Sequence, residues 1–229
     1  MSPLRRKNGR LSASCFVPSK DRRMFITIEG GDGTGKSTQV QRLAERLAAA
    51  GYDVVACRDP GSTPLGEAVR ELILHRLDID VSGRAEMLLY MAARAQLVDE
   101  VVRPALEAGK MVVSDRFLLS NVVYQGYGGG LDIEALWQVG KTAIGDTFPD
   151  LVIVLDLEVE QAMRRIGPSK DRLERRGLDY HRRVREGFLH EAERLGESAV
   201  VLSAADSIDA VHDAIWQTLL ERGLVHDPA

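Results

Sequence analysis

Residues 30–37 carry the pattern that most restricts the fold of this chain: Gly-Gly-Asp-Gly-Thr-Gly-Lys-Ser, a complete match to G-x-x-x-x-G-K-S. Glycines let the backbone curl so that several N–H groups point at one centre, which creates a concave anion site. A short apolar, β-rich run at 24–28 precedes the loop, and apolar residues at helical spacing follow it up to Gly51. Strand, loop and helix in this order are the context that the pattern requires. The sequence therefore predicts a loop that binds nucleotide phosphates, rather than a glycine-rich turn without a ligand.

Individual side chains of this loop have distinct expected tasks. Lys36 is expected to reach the β- and γ-phosphates, and the Ser37 hydroxyl to ligate Mg²⁺. The helix that follows directs the positive end of its dipole at the same phosphates. The residues assigned to the phosphates of the donor nucleotide are Gly30, Gly31, Asp32, Gly33, Thr34, Gly35, Lys36, Ser37 and Thr38.

The length, charge and cysteine content of the chain exclude several classes of protein. The chain has 229 residues, a length that favours one α/β domain. A net charge of -4 with a pI near 5.8 argues against a nucleic-acid binder that relies on a broad basic surface. No apolar run approaches the roughly 18 residues that a membrane helix needs. Cys15 and Cys57 lack the spacing of a metal site or a disulfide framework, which predicts a cytoplasmic protein.

The first 23 residues differ from the rest in charge: they hold seven lysines and arginines against one acidic residue, Asp21. A basic, serine-containing leader can be a transit peptide. The same composition fits a disordered or dispensable tail, or translation that begins at Met24. We favour the last two interpretations over targeting and expect residues 24–229 to form a single domain.

Five apolar, β-rich runs alternate with helical patterns along the rest of the chain. The runs are residues 25–28, 54–57, 111–114, 151–155 and 200–202, and the helical patterns are 36–50, 84–107, 132–144, 158–166, 179–195 and 207–221. Such alternation predicts an α/β fold with a doubly wound, five-stranded parallel sheet and helices on both faces, of the P-loop NTPase class. Because ligands of such sheets bind beyond the carboxyl ends of the strands, the informative residues are expected there.

Charged residues follow two of the predicted strands. Asp115 and Arg116 come directly after the run 111–114, where a carboxylate can hold Mg²⁺ near the phosphate loop and a guanidinium can grip a phosphate. A surface Asp–Arg pair is the alternative, but the combination with the phosphate loop favours the functional interpretation. Arg58 begins a segment at 58–64 that contains two prolines and a glycine and by itself predicts only a turn. Its place after the second predicted strand suits the wall of an acceptor pocket.

Aromatic and polar residues form two further clusters. Tyr90 and Arg94 are four positions apart in a helical pattern and so share one face, where a ring can stack on a base and a guanidinium can bond its edge. Spacing alone favours a half-buried tyrosine beside a solvated arginine. The second cluster consists of Asn121, Tyr124 and Gln125.

Two glycine-containing segments predict mobile or tightly turned structure. Four glycines within residues 126–130 follow the second cluster. Residues 163–177 are basic and interrupted by Gly-Pro, which suits a lid that closes over phosphates and delivers a cation. An arginine delivered in this way accelerates phosphoryl transfer by about 10³–10⁵. Taken alone, the segment favours a charged, solvated helix hairpin.

In combination, these motifs resemble those of thymidylate kinase, the family that phosphorylates dTMP with ATP, in its bacterial type. The similarity extends from residue 24 to about residue 220. The phosphate loop alone is shared by many families, whereas the ordered set of motifs is highly specific. The segments that carry it are residues 25–39, 58–61, 63–67, 94–96, 115–117, 120–126, 171–174 and 183–188.

The resemblance implies a dTMP site beside the ATP site. Tyr90 matches the aromatic residue that stacks on thymine, and Arg94 matches the arginine that bonds the edge of the base. Asn121 matches a base contact, and Tyr124 matches the ring that crowds the sugar 2′ position. The implied dTMP-binding set is Asp32, Arg58, Tyr90, Arg94, Arg116, Asn121, Tyr124, Gln125 and Glu174.

The resemblance also implies Mg²⁺ as cofactor and a homodimer, formed through helices around 84–107 and 132–144. The implied metal site consists of Ser37, Asp115 and Asp32. The implied catalytic residues are Lys36, Arg116 and Asp32, with one further cation from Arg164, Arg165, Lys170 or Arg172 of the lid.

Three glycines depart from the family pattern. Some members carry an arginine at the position of Gly33, so the further cation is expected from the lid here. Gly167 stands where a lid arginine is expected, and the sequence leaves the choice among the four lid cations open. Gly129 stands where a basic residue is common.

The motifs are also compatible with two other classes of function. The nearer one is a deoxynucleoside kinase or another nucleoside monophosphate kinase on a similar scaffold. The more remote one is a nucleotide-switched binding protein, either a GTPase or an ATPase. A GTPase needs an Asn-Lys-x-Asp motif to read guanine, and the sequence has none.

Overall fold

The computed structural model describes residues 23–76, 78–166 and 176–226 of the chain. Its centre is a five-stranded, fully parallel sheet with the strand order β2-β3-β1-β4-β5. The strands are β1 (Met24–Gly30), β2 (Val54–Arg58), β3 (Met111–Asp115), β4 (Leu151–Asp156) and β5 (Ala199–Ser203). All five predicted runs are therefore confirmed as strands. The tail at 1–22 lies outside the described residues.

Helices cover both faces of this sheet, as predicted. They are α1 (Lys36–Ala49), α2 (Pro64–Leu74), α3 (Gly83–Leu97), α4 (Arg103–Glu107), α5 (Leu118–Asn121), α6 (Ile133–Ile144), α7 (Val159–Arg165), α8 (Leu178–Leu195) and α9 (Ile208–Glu221). A π-helical turn, Val98–Val102, joins α3 to α4, so the predicted helix 84–107 is nearly continuous. Among the described residues, no helix is both long and apolar enough to cross a membrane.

Side chains of β1 alternate between the two layers of the core. Ile26 and Ile28 point into a cluster with Leu43 of α1 and Trp216 of α9. Phe25 points the other way, into a cluster with helices α3 to α6. Because both faces of a parallel sheet are covered, its strands are apolar almost throughout. Two polar residues of β1, Thr27 and Glu29, are nevertheless fully buried.

The structure differs from the sequence-based expectation in two segments. Helix α2 follows the turn at 58–64, where Thr63 caps it by accepting the Gly66 N–H at 2.9 Å. The glycines after Gln125 were expected in a mobile or tightly turned loop, whereas Val122–Gly128 forms a buried π-helical turn. A Cβ at Gly128 would lie 2.6 Å from the Tyr180 ring, so glycine is required there by close packing against α8.

Candidate active site

The phosphate loop connects β1 to α1 at the carboxyl edge of the sheet. Gly35 precedes α1 in the left-handed region, with φ of 89°, as this turn requires. Lys36 Nζ donates to the Gly31 carbonyl at 2.6 Å, and Thr34 Oγ1 donates to the same oxygen at 2.9 Å. The loop is thus folded around its own lysine, which is buried.

Gly33 packs directly against α7. It has φ of 78°, and a Cβ on it would overlap the Ala162 carbonyl. The position that carries an arginine in some thymidylate kinases therefore has no room for a side chain here.

Arg116 stands at the centre of the site, just beyond β3. It is one of two non-glycine residues with positive φ in the described chain, at 66°. Its guanidinium forms an ion pair with Asp32 and donates to the Gly30 carbonyl at 3.0 Å. It also donates to Tyr124 Oη at 3.2 Å and lies over the Tyr124 ring, 4.9 Å from the centroid. The side chain thus lies over the phosphate loop, in contact with Gly30 and Asp32.

Three ionisable groups surround this arginine: Asp32 is half-buried, and Lys36 and Glu29 are buried. Burial alone would raise the pKa of Asp32, but the charges of Arg116 and Lys36 outweigh it and hold that pKa below its usual value. Burial, reinforced by the neighbouring charge of Arg116, lowers the pKa of Lys36 to about 8. Burial raises the pKa of Glu29 to about 7.

Glu29 is joined to the site through Ser120. Ser120 Oγ donates to Glu29 Oε2 at 2.5 Å and accepts from Arg116 Nη1 at 3.1 Å. Helix α5 provides Ser120, which therefore bridges the floor of the site and the core.

A second group of polar residues forms the far end of the site. Arg94 is only 1% exposed, and its Nε donates to Asp59 Oδ2 at 2.5 Å. Arg94 Nη1 also donates to Asn121 Oδ1 at 3.0 Å. The expectation from spacing alone, a solvated arginine beside Tyr90, is thus wrong, because Asp59 and Asn121 compensate the buried charge.

The hydrogen-bond chain continues towards α8. Asn121 Nδ2 donates to Gln125 Oε1 at 2.6 Å, and Gln125 Nε2 donates to Glu86 Oε1 at 2.8 Å. Glu86, which is buried, lies 3.8 Å from Arg176 Nη2. The side-chain amides of Asn121 and Gln125 are thereby fixed in orientation. A fixed orientation is required for hydrogen bonding to the edge of a base.

The residues around Arg116 and those around Arg94 line one cleft of about 400 Å³. Such a volume lies within the range of about 300–1,000 Å³ that is usual for small-ligand sites. The predicted residues that line it are Asp32, Gly33, Gly35, Lys36, Ser37, Thr38, Arg58, Tyr90, Arg94, Asp115, Arg116, Asn121, Tyr124 and Gln125. Residues that were far apart in the sequence are therefore brought together around a single cavity.

Arg58 lies at the rim of the cleft. It is exposed, and its Nη2 donates to Glu67 Oε2 at 2.7 Å. Glu67 also accepts the Ser62 N–H at 2.9 Å, which fixes the turn after β2.

The oxygen atoms near the phosphate loop fit a magnesium ion. Ser37 Oγ donates to Asp115 Oδ2 at 2.5 Å, and Asp32 Oδ2 is buried without a hydrogen-bond partner in the described chain. Hydroxyl and carboxylate oxygens are the ligands that Mg²⁺ prefers, and it usually takes only one or two carboxylates with substrate phosphates. Among the described residues, no cluster of three or more His, Cys, Asp or Glu side chains could hold a metal ion.

The predicted lid lies only in part among the described residues. Arg164 and Arg165 end α7, and both are exposed outside the cleft lining. Arg165 Nη1 donates to the Ala204 carbonyl at 3.0 Å. Lys170, Arg172 and Glu174, with Gly167, lie outside the described residues.

Comparison with known proteins agrees with this geometry. A family model described as thymidylate kinase matches residues 28–215. The chain belongs to the thymidylate kinase family. It is 45% identical over 191 residues to "Thymidylate kinase" of Rhodopirellula baltica, covering 83% of this chain and 78% of the relative. It is 45% identical over 204 residues to the same enzyme of Deinococcus radiodurans, covering 87% and 98%.

A solved structure supports the same family. The crystal structure of thymidylate kinase from Ehrlichia chaffeensis superposes with a TM-score of 0.73 at 30% sequence identity, covering 86% of this chain and 99% of that one. Family membership confirms the resemblance, the P-loop fold and the kinase class that the motifs predicted.

Several residues of the site were missed by reasoning from the sequence. They are joined to the site by contacts with residues that are not their neighbours in the sequence, so no local pattern identifies them. These residues are Glu29, Asp59, Arg70, Glu86 and Ser120. Asp59 had one usable signal, because it stands in the charged turn directly after β2.

Proposed function

We propose that this chain transfers the γ-phosphoryl group of ATP to dTMP, giving dTDP and ADP. The observation that carries the proposal is the shared cleft, in which Lys36 and Ser37 of the phosphate loop face Tyr90 and Arg94 at the other end. A nucleoside monophosphate kinase needs a site for the phosphates of ATP and a pocket of the size of a base in the same cavity. Membership of the thymidylate kinase family supports thymine as the base.

The base end of the cleft is suited to thymine. Tyr90 offers a ring for stacking, which contributes about 1–3 kcal/mol per base. Arg94 and Asn121 present donor and acceptor groups that are held in fixed orientations by Asp59 and Gln125. Tyr124 lies between the base end and Arg116, where it would crowd a ribose 2′-hydroxyl.

Arg116 and Arg58 are proposed to hold the acceptor phosphate. Arg116 already neutralises Asp32, and a bidentate grip on a phosphate is the strongest use of a guanidinium. Asp32 would then be released towards the metal and the sugar 3′-hydroxyl. An oxygen of the dTMP phosphate attacks the γ-phosphorus in line, and the bond to the β,γ-bridging oxygen breaks to release ADP.

Little covalent chemistry is required of the protein in this step. The attacking oxygen is already anionic, so positioning and charge neutralisation provide the catalysis. Lys36 neutralises charge that develops on the transferred group. Mg²⁺, held by Ser37 and Asp115 with Asp32 near it, would add Lewis-acid neutralisation of the β- and γ-phosphates.

The further cation is proposed to come from the lid, since Gly33 excludes a side chain in the loop. Arg164, Arg165, Lys170 and Arg172 are the candidates. The hydrogen bond of Arg165 to Ala204 directs it towards β5, which favours the other three.

We also infer a cytoplasmic homodimer with no nucleic-acid or membrane partner. Leu65 of α2 and Leu88 of α3 are 44% and 54% exposed, which suits a contact that includes the α3 face. The thiol of Cys57 is buried and free, as in proteins of reducing compartments. Sedimentation equilibrium tests the dimer: a single species at monomer mass over a micromolar concentration range would contradict it.

A substrate panel tests the proposed activity. Coupled assays with dTMP, dUMP, thymidine, CMP and AMP should give the highest kcat/KM with dTMP. Selection against dUMP rests on one methyl group and should be limited to about 10–200-fold. Greater activity on thymidine than on dTMP would favour a deoxynucleoside kinase and reject the proposal.

A further inference from the structure

Glu86 is a buried carboxylate that lies outside the nucleotide cleft. It stands in the first turn of α3, is 2% exposed and does not line the cleft. Gln125 Nε2 donates to its Oε1 at 2.8 Å, and Arg176 Nη2 lies 3.8 Å from its Oε2. A buried charge is costly unless neighbouring groups compensate it. Any effect of Glu86 on a bound nucleotide must therefore pass through its neighbours.

Arg176 supplies the counter-charge from a fixed position. Its guanidinium carbon lies 4.6 Å from the centroid of the Tyr180 ring, a cation–π contact. The Tyr180 hydroxyl donates to the Tyr124 carbonyl at 3.2 Å, which ties this ring to a residue that lines the cleft. Since Oε2 of Glu86 faces Arg176, Oε1 is left to accept from Gln125.

The hydrogen bonds between Arg94 and Glu86 all run in one direction. Arg94 Nη1 donates to Asn121 Oδ1 at 3.0 Å, Asn121 Nδ2 donates to Gln125 Oε1 at 2.6 Å, and Gln125 Nε2 donates to Glu86. The chain begins at a guanidinium, which can only donate, and ends at a carboxylate, which can only accept. The two amides between them can do both, so their orientation is set by the two ends.

The reversed chain is disfavoured at both ends. If both amides turned by 180°, their mutual hydrogen bond would survive with the roles exchanged. Asn121 Nδ2 would then face the donor of Arg94, and Gln125 Oε1 would face the acceptor of Glu86. All four side chains are buried, so each mismatched contact disfavours the reversed chain by about tenfold or more.

The direction of the chain decides what the cleft offers to the edge of a base. Arg94 and Asn121 both line the cleft, and the donor of the first lies beside the acceptor oxygen of the second. Thymine presents the O4 acceptor beside the N3–H donor, which is the complementary pattern. Cytosine presents its amino donor beside the N3 acceptor, which is the opposite pattern. Uracil has the same edge as thymine.

We propose that Glu86 is a positioning residue that sets this base specificity. By accepting from Gln125 it keeps the Asn121 oxygen beside Arg94, and the cleft then selects a 4-oxo over a 4-amino pyrimidine. Without an acceptor at position 86, the reversed chain has one mismatched contact instead of two and becomes populated. The inference rests on the proposed function and names a residue that determines its substrate.

Two substitutions of Glu86 provide a matched test. Glu86→Gln and Glu86→Met both remove the charge opposite Arg176 and keep nearly the length of the side chain. Only glutamine retains an oxygen that can accept from Gln125. A purely structural role, in which Glu86 ties α3 to Arg176 by charge, would make the two variants equivalent.

The kcat/KM values for dTMP, dUMP and dCMP measure the effect. Glu86→Met should lower the ratio of dTMP to dCMP by about tenfold or more and raise KM for dTMP by about tenfold. Glu86→Gln should keep both quantities within about threefold of wild type. The ratio of dTMP to dUMP and the KM for ATP should stay within about twofold in both variants, because neither depends on the direction of the chain. The same ratio of dTMP to dCMP in the two variants would overturn the role of Glu86, whatever their Tm values.

A neutron structure of the wild-type protein decides the matter if Glu86→Met does not fold. It should show a deuteron of Gln125 Nε2 directed at Glu86 and one of Asn121 Nδ2 directed at Gln125. Amides in the opposite orientation would overturn the inference.

Failure of the proposed function is distinguishable from failure of this inference. A wild-type protein that does not phosphorylate dTMP, or that prefers dCMP, would reject the proposed function. A wild-type protein that prefers dTMP, together with equal ratios in the two variants, would reject only the role of Glu86.

Discussion

The guanidinium of Arg94 donates to the carboxylate of Asp59 over 2.5 Å, and the two side chains are 2% and 0% exposed. Burial raises the pKa of Asp59, and the charge of Arg94 opposes that effect. The pair spans 35 residues of sequence and joins the turn after β2 to helix α3. The base end of the cleft is therefore held in shape by a buried ion pair.

Removing Asp59 should cost much more stability than removing its exposed neighbour. Asp59→Ala leaves the charge of Arg94 buried without a partner, which typically costs about 3–5 kcal/mol. Arg58→Ala removes a surface pair with Glu67 and should cost at most about 1 kcal/mol. Urea unfolding gives both free energies, and similar values for the two variants would contradict the described role of the buried pair.

Arg94→Lys should affect dTMP selectively. Lysine keeps the charge beside Asp59 but lacks the planar fork that donates to both Asp59 and a base edge. The loss of a hydrogen bond from a charged group is expected to raise KM for dTMP by about 10–100-fold. Initial-rate kinetics should give a KM for ATP within about twofold of wild type, as expected if the lost hydrogen bond is confined to the base. Equal losses for both substrates would show that Arg94 does not read the base.

ATP binding should take up protons in alkaline solution. The pKa of Lys36 is about 8 in the free protein, because burial disfavours its charged form. Bound phosphates favour the charged form and raise that pKa, so ATP should bind more weakly as the pH rises above 8. Calorimetry in buffers of different ionisation enthalpy should give about 0.9 proton per ATP at pH 9 and about 0.1 at pH 7.

Lys36→Ala provides the control for this measurement. It should lose the pH-dependent proton uptake and reduce phosphoryl transfer by more than about two orders of magnitude. An unchanged proton uptake in the variant would assign the titration to another group.

Glu29 should make stability fall as the pH rises through the neutral range. Its folded pKa of about 7 lies above the usual value of 4.5 for a glutamate, because burial disfavours the charge, so folding favours the protonated form. Below about pH 4.5 Glu29 is protonated in both the folded and the unfolded chain and costs no stability. As the pH rises from about 4.5 to above 7, the free energy of unfolding falls by up to roughly 3 kcal/mol. Glu29→Gln should therefore gain stability relative to wild type between pH 5 and pH 8. Parallel stability curves for the two proteins would contradict this role of Glu29.

Gly33→Ala should be more damaging to stability than Gly35→Ala. Both glycines have left-handed φ, which costs an alanine about 1 kcal/mol. A methyl group at Gly33 also meets the Ala162 carbonyl, whereas at Gly35 it meets no atom within 4 Å. The clash should add about 1–3 kcal/mol. Thermal unfolding gives the Tm of both variants. Equal shifts in Tm would show that α7 moves away from the added methyl group without loss of stability.

The sequence was sufficient for the sheet because each strand of the described chain is a short, nearly continuous apolar run between helical patterns. The phosphate loop was predictable for a different reason, since its backbone curl needs glycines at fixed positions. Helix α2 was missed because prolines and glycine dominate the segment before it, although Thr63 and Pro64 form a usable cap signal.

Contacts between distant residues account for most of what the sequence did not predict. The burial of Arg94 depends on Asp59 and Asn121, which belong to other elements of the fold. The packed glycines after Gln125 depend on α8, whose Tyr180 ring lies against Gly128. Local sequence patterns predict where the chain turns and which segments form strands or helices. They do not predict which buried charges have partners on other elements.

The fate of the γ-phosphoryl group tests the central claim most directly. The wild-type protein is incubated with γ-labelled ATP, Mg²⁺ and dTMP, and the products are separated. The account predicts that the label moves to dTDP, that little of it appears as inorganic phosphate, and that Lys36→Ala abolishes the transfer. Label that accumulates in inorganic phosphate while dTMP stays unmodified would contradict it.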